Sequence, residues 1–403
     1  MSKPSRVVIA FVLILSLART AAQSASAQGI TVAQLISRAA LPWLPTYNPK
    51  TDWNFLHASA AAQKICRRSE TLPIPRADLP TAAQLPQLGT CNSEALYYGL
   101  EGKPNYVQAR QCAYLERALG DRTPISGSAV LSMIYANGLG VERNLPLATK
   151  FACEAGGAPN EIDSRVSHLQ RLAVRTVPPW GRFDFCDDIT SGYMTGVCAG
   201  VAEGILEERR KITIERIASR YTPAQKAEFE ALQYVARTYF NLHSAEEVNS
   251  AGSAGVALEI DDVVHDDNTL VDDVEALNAG RIPAASIGAA RQADARLEAI
   301  YHRVLANPFL RPARPDPLLP GLPMTEMGTI TREGLRVDQA LWLSYRDAWV
   351  HFAAAVKPRL SSATVRAWIT QQRIEDLRCL LPFHDKDFRA CNVPILTPVD
   401  MLP

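Results

Sequence analysis

Leu335, Trp342, Trp349 and Val356 stand seven residues apart, with Tyr345 and Phe352 among them. Seven residues are close to two helical turns, so the run Leu335–Val356 predicts one helix of about six turns with a single apolar, aromatic face. A face that large must be covered by other elements. Few segments elsewhere alternate with the period of two that strands require, so the predicted fold class is all-α. Trp342 and Trp349 read as core, and Gln339, set between apolar layers, as a buried hydrogen-bonded amide. Arg346 and Asp347 are adjacent and point about 100° apart, so each is expected to bond a neighbouring helix, with Arg373, Glu375 and Asp376 as candidates.

The beginning of the chain has the pattern of a targeting segment. Lys3 and Arg6 precede an apolar run, Val7–Ala18, that is too short to span a bilayer, and Ala25-Ser26-Ala27 offers a small-residue cleavage site. A signal peptide over 1–27, cleaved near Ala27, predicts a periplasmic or secreted protein with no membrane anchor afterwards. The first cysteine is Cys66, so no thiol stands at the cleavage point to carry a lipid. Loss of Lys3, Arg6 and Arg19 leaves 39 basic against 42 acidic residues. That balance argues against a general nucleic-acid binder.

Eight cysteines, Cys66, Cys91, Cys112, Cys153, Cys186, Cys198, Cys379 and Cys391, all follow the leader and suit an oxidising compartment. Four disulfides are expected, of which short separations suggest Cys186–Cys198 and Cys379–Cys391. Residues 28–90 read as one helix, Phe55–Arg68, followed by an extended linker, Glu70–Gly89, broken by Pro73, Pro75, Pro80 and Pro86. Residues 91–180 hold two related helical hairpins. In the second, Ala129–Val141 leads through Gly138 and Gly140 to Asn144, Ala148 and Cys153. In the first, Tyr97, Tyr98, Gly99, Gly102, Asn105, Ala109 and Cys112 follow in the same order. Residues 181–280 and 281–403 read as two copies of one helical module. Phe229, Gln233 and Tyr239 keep the spacing of Leu335, Gln339 and Tyr345, with Ala236, Phe240 and Asn241 where the second copy has Trp342, Arg346 and Asp347. Charged amphipathic helices, Val201–Tyr221 and Arg291–Leu305, precede them, and prolines from Pro308 to Pro323 demand an irregular loop.

Two resemblances follow from these residues. The string Gln339-Ala-Leu-Trp342-Leu-Ser-Tyr345-Arg346-Asp347 resembles the helix Q-x-x-W-x-x-Y-R-D of the lysozyme-inhibitor LprI-type family. Ala129–Val141 with its Ala-rich second helix resembles the Sel-one-like repeat, a relative of tetratricopeptide solenoids. Together they imply a disulfide-stapled envelope protein that binds a protein partner, a lysozyme or another envelope protein. The Sel-one-like resemblance further implies that Cys91 pairs with a cysteine on the preceding helix, here Cys66, which leaves Cys112 with Cys153. Many LprI-type relatives look like lipoproteins, and this chain departs from them.

The densest charged stretch, Glu259–Glu275, holds eight acids and no Lys or Arg. Asp262, His265 and Asp266 fall at i, i+3 and i+4 and could present metal ligands on one helical face. Alternatively the stretch is a solvated helix face with valines turned inward. The reading that fits the family is an acidic surface, Asp261, Asp262, Asp266, Asp267, Asp272 and Asp273, that attracts a basic partner. No nucleophile, zinc-protease or phosphate-loop motif occurs, so no catalytic, cofactor or metal residues are assigned and the protein is expected not to be an enzyme. Asp187 and Asp188 leave a peptidoglycan hydrolase as the catalytic alternative.

Overall fold

A computed structural model describes residues 32–40, 52–121, 123–174, 182–312, 324–391 and Pro398. The leader 1–27 and most of the proline run, 313–323, lie outside the described residues. Among those residues the protein is all-helical, with fourteen α-helices, no strand and disulfide-bonded cysteines. It divides into two compact units, the first running to Met194 and the second spanning Thr195–Leu396.

The first unit is built from α1 (Val32–Ala39), α2 (Trp53–His57), α3 (Ala60–Ser69), α4 (Ser93–Tyr98), α5 (Tyr106–Leu119), α6 (Ser128–Asn137), α7 (Leu145–Ala155) and α8 (Pro159–Ala173). The expected single helix Phe55–Arg68 is split at Ala58-Ser59. The Ser59 side chain caps α3 by accepting the Ala62 N–H, and its own N–H donates to Asp163 at 2.8 Å.

The hairpins α4–α5 and α6–α7 are closed by the same hydrogen bonds. Gly99 and Gly138, 39 residues apart, end their first helices in the left-handed conformation (φ 74° and 68°) that glycine adopts without a Cβ penalty. A Cβ on Gly99 would lie 2.7 Å from the Gly102 carbonyl, so that hairpin has no room for another residue there. Asn105 and Asn144, again 39 apart, cap the second helices by accepting the Gln108 and Leu147 N–H groups. Their own N–H groups donate to Leu96 and Tyr135. Two fully buried cations tie the stack together. Arg117 on α5 donates two hydrogen bonds to Glu154 on α7 and one to the Ala39 carbonyl ending α1, and Lys150 donates to the Glu70 carbonyl.

The disulfides correct two of the four expected pairings. Cys66 pairs with Cys153 and Cys91 with Cys112, not Cys66 with Cys91 and Cys112 with Cys153. The cause is the packing order. Helix α3 lies against α7 of the second hairpin, which sets Cys66 5.6 Å from Cys153 between Cα atoms. Cys91, just ahead of α4, meets Cys112 of its own hairpin at 6.0 Å. Cys379–Cys391 is as expected, and Cys186 and Cys198 are also disulfide-bonded.

Residues 182–188 pack within the first unit, which runs to Met194. The Asn137 amide exchanges two hydrogen bonds with the Phe183 backbone, Tyr98 donates to Asp184, and the Arg165 guanidinium lies 3.7 Å from the centre of the Phe185 ring.

The second unit comprises most of α9 (Gly192–Ala218), then α10 (Pro223–Glu247), α11 (Gly255–Ala279), α12 (Ile287–Leu305), α13 (Arg332–Val356) and α14 (Ser362–Cys379). Residues expected to belong to two module copies share one core. Phe229, Leu232, Ala236 and Tyr239 of α10 meet Leu335, Trp342, Tyr345, Trp349 and Phe352 of α13. The helices run antiparallel, because Phe229 stacks on Phe352 while Tyr239 stacks on Tyr345. Those two tyrosines are the matching positions of the two copies. Helix α11 packs on α10, and α14 on α12 and α13.

Peptide mapping of the unreduced protein should recover Cys66 joined to Cys153 and Cys91 joined to Cys112; a Cys66–Cys91 peptide would refute this packing order. Because Cys66–Cys153 closes an 87-residue separation, replacing both cysteines by Ala should destabilise the first unit by about 4 kcal/mol in denaturant titration.

Candidate functional site

The most concentrated chemistry in the second unit is a set of ionisable side chains held among α10, α11, α13 and α14. At its centre is Arg373 on α14, fully buried. Its guanidinium donates to both oxygens of Glu247 on α10, to Asp338 Oδ2 at 2.9 Å, to Gln339 Oε1 at 3.0 Å and to the Tyr239 hydroxyl at 3.3 Å. One turn back on α10, His243 stacks flat on Tyr239 with ring centres 5.4 Å apart. Its Nε2 faces Glu247 Oε2 at 3.3 Å, and its Nδ1 faces Asp266 Oδ2 at 2.9 Å and Asp262 Oδ2 at 3.8 Å across the interface with α11.

Local sequence places these groups. His243 and Glu247 are i, i+4 on α10, and Asp262 and Asp266 are i, i+4 on α11, so each pair shares a helix face. Asp338 and Gln339 reach Arg373 from the first half of α13.

Burial and the neighbouring charges set the protonation states. Burial would push the Glu247 carboxyl up, but Arg373 and His243 outweigh it and hold Glu247 well below the carboxylate range. Burial would lower His243, but Asp266, Glu247 and Asp262 hold it well above its ordinary 6.5. Burial and the adjacent Glu247 push Asp338 up to about 8, against the pull of Arg373 and His243. Burial likewise raises Asp376 to about 7 and Asp262 to about 6. Near neutrality a proton shared between Glu247 and Asp338 therefore rests on Asp338.

The residues of the Gln339–Asp347 string are mostly interior. Gln339 accepts from Arg373, Trp342 is buried, and Tyr345 stacks on Tyr239 at 5.1 Å. Arg346 donates to Asp294 on α12 at 2.9 Å and to Thr370 on α14, with its guanidinium 4.9 Å from the centre of the Trp342 ring. Its partners are thus not the expected Arg373, Glu375 or Asp376. Asp347 is exposed.

The acids of α11 do not form one exposed surface, which corrects that expectation. Asp261 is buried, Asp262 and Asp266 face His243, Asp267 pairs with Arg210 at 3.5 Å, and Asp273 accepts from Gln372. Asp272 alone of the six is exposed. The cause is the neighbours: α9, α10 and α14 each turn a donor or cation towards α11. His265 is exposed, and the histidine that joins Asp262 and Asp266 is His243 from the next helix. The i, i+4 pair His243–Glu247 was the sequence signal for it. In the first unit Asp188 pairs with His168 at 3.0 Å, while Asp187 accepts the Asp184 N–H.

Two outcomes test the network. Arg373→Met leaves Glu247 and Asp338 buried without their cation, and should destabilise the second unit by about 3–5 kcal/mol in denaturant titration; a loss below about 1 kcal/mol would show the pairs to be energetically idle. A carboxyl whose folded pKa is raised takes up its proton on folding. Its stabilising contribution is complete below the unfolded value and is lost as pH rises through the folded one. Asp338, facing Glu247, His243 and Arg373, and Asp376, facing His243, Arg373, Asp266 and Glu247, both act this way through about 7–8. The raised His243 acts in the same sense, and Glu247, held low, stays ionised throughout. Thermal unfolding of the second unit should therefore fall in temperature between about pH 6 and 9, and Asp338→Asn should flatten the slope. A midpoint that rises over that range contradicts the assignment.

No protein-family model matches this chain, and no curated protein or solved structure resembles it significantly.

Proposed function

We propose that the chain is a non-catalytic binding protein of the cell envelope, delivered to the periplasm or beyond by the leader 1–27, and that its partner is a lysozyme-type glycan hydrolase. The partner comes from the likeness of Gln339–Asp347 to the LprI-type family. The observation that carries the non-catalytic reading is the engagement of the acid–base groups. A general acid or base must reach a substrate proton. Here His243, Glu247, Asp266 and Asp338 meet one another and Arg373 across helix interfaces. The Asp187–Asp188 pair is similarly occupied by His168 and the Asp184 backbone. Cysteines that are all oxidised support a compartment outside the reducing cytosol. No helix among the described residues is long and apolar enough to cross a membrane.

An inhibitor of this kind covers the hydrolase cleft or its mouth. The acidic excess left after loss of the leader attracts a basic enzyme and speeds association at low salt. One observation favours a second reading, a scaffold for another envelope protein. The α4–α5 and α6–α7 hairpins repeat their caps and closing hydrogen bonds every 39 residues, as stacked helical repeats that present a binding face do.

Purified protein mixed with several lysozyme types should slow cell-wall lysis at micromolar concentration, and less so as salt is raised. Absence of inhibition for every type sinks the inhibitor reading and leaves the scaffold, whose partner should then be retained by the immobilised protein from envelope extracts. Release of sugar or peptide fragments from purified peptidoglycan would overturn the non-catalytic reading itself.

A further inference from the structure

We propose that His243, Asp262 and Asp266 form a binding site for one divalent first-row transition-metal ion, zinc best matching the donors, which clamps α10 to α11. The three donor atoms, His243 Nδ1, Asp262 Oδ2 and Asp266 Oδ2, all lie within 4.8 Å of one another. Bonds of about 2.1 Å at tetrahedral or octahedral angles set donors about 3.0–3.4 Å apart. The separations from Nδ1, 2.9 Å to Asp266 and 3.8 Å to Asp262, bracket that range, so shifts of a few tenths of an ångström bring both aspartates to ligating distance from the imidazole's side of the ion.

Three independent features point to a cation rather than to a plain ion pair. Asp262 Oδ2 is enclosed and accepts no hydrogen bond, although it faces the imidazole. A buried carboxylate oxygen left without a donor is costly unless a cation meets it. Second, the far side of the ring is already oriented. Nε2 faces Glu247, itself held by Arg373, and a proton on Nε2 leaves the Nδ1 lone pair directed at the two aspartates. That is the carboxylate–histidine–metal arrangement in which an outer carboxylate fixes the tautomer of the ligating ring. Third, the charges balance. The ion takes the place of the proton that the aspartates otherwise hold on His243 Nδ1. The two aspartates with the then neutral imidazole carry two negative charges, which a divalent ion neutralises, while Glu247 is separately matched by Arg373. One imidazole with two carboxylates suits zinc or its first-row neighbours better than calcium or magnesium, which favour all-oxygen sets. The side chains of His243, Asp262 and Asp266 are 10, 15 and 17% exposed, which leaves solvent a path to the remaining coordination position.

The deciding experiment is calorimetric titration of zinc chloride into the chelator-stripped, disulfide-intact protein. With no free thiol, cysteine cannot supply a competing site. The expected result is one saturable ion per chain. Since losing an outer-shell partner alone weakens metal binding about tenfold or more, Asp262→Asn and Asp266→Asn should each weaken it by at least that factor. Asp272→Asn, on the exposed side of the same helix, should leave it unchanged. If Asp266→Asn fails to fold, Asp262→Asn decides, because Asp262 Oδ2 has no hydrogen bond to lose. No saturable binding by the unaltered protein, binding undiminished in Asp262→Asn, or equal weakening in Asp272→Asn would each overturn the site.

Discussion

The second unit depends on one buried cation. Arg373 has no access to solvent, and its hydrogen bonds reach Glu247 and Tyr239 on α10 and Asp338 and Gln339 on α13. A guanidinium stripped of water is tolerable only where acceptors replace that water in a fixed plane, as they do here. Three helices are thereby held in one register, since a slip of one residue along any of them would turn an acceptor away. The apolar core supplies the bulk of the attraction but is less particular. Contacts among Tyr239, Tyr345, Trp349 and Phe352 set no directional requirement of that kind, whereas the ionic set has one arrangement that satisfies its hydrogen bonds.

The first unit solves the same problem with backbone caps. Gly99 and Gly138 reverse the chain at matched positions, and Asn105 and Asn144 restart it with the same hydrogen bonds. The hairpins are therefore near-copies in their turns while their buried faces differ: Arg117 projects from α5, and Lys150 and Glu154 project from α7. Those buried charges, through the Ala39 and Glu70 carbonyls, and the Cys66–Cys153 disulfide bind flanking helices onto the two hairpins, while Cys91–Cys112 closes the first hairpin on itself. Two hairpins alone would leave an end face of each uncovered.

What the sequence disclosed followed from local periodicity and local chemistry. The helix at Leu335–Val356, the all-helical class and the glycine-marked turn at Gly138 and Gly140 were legible because each is fixed by residues within a few turns of one another. Disulfide pairing was legible where it was short-range, as at Cys379–Cys391. Cys66 and Cys153 meet because α3 packs on α7, and nothing near either cysteine encodes that contact. The acids of α11 misled for the same reason. A run without Lys or Arg reads as a solvated face until the histidine, arginine and glutamine that neighbouring helices turn towards it are known. His243 was missed because its partners are on another helix, although its i, i+4 relation to Glu247 was visible.

The recognisable string on α13 and the solvent-facing side of that helix are largely different sets of residues. Arg336, Ala340, Leu343, Asp347, His351 and Ala354 are exposed at steps of three or four, which traces one solvent-facing stripe along the helix. Gln339, Trp342, Tyr345 and Arg346 point away from that stripe into the α10, α12 and α14 interfaces. Of the five string residues only Asp347 lies on it. A string kept for packing marks a way of assembling helices, and a chain can share it while its exposed stripe carries different chemistry. The exposed chemistry of this helix is therefore set by residues such as Arg336, Leu343 and His351, which either flank the string or fill its unspecified positions.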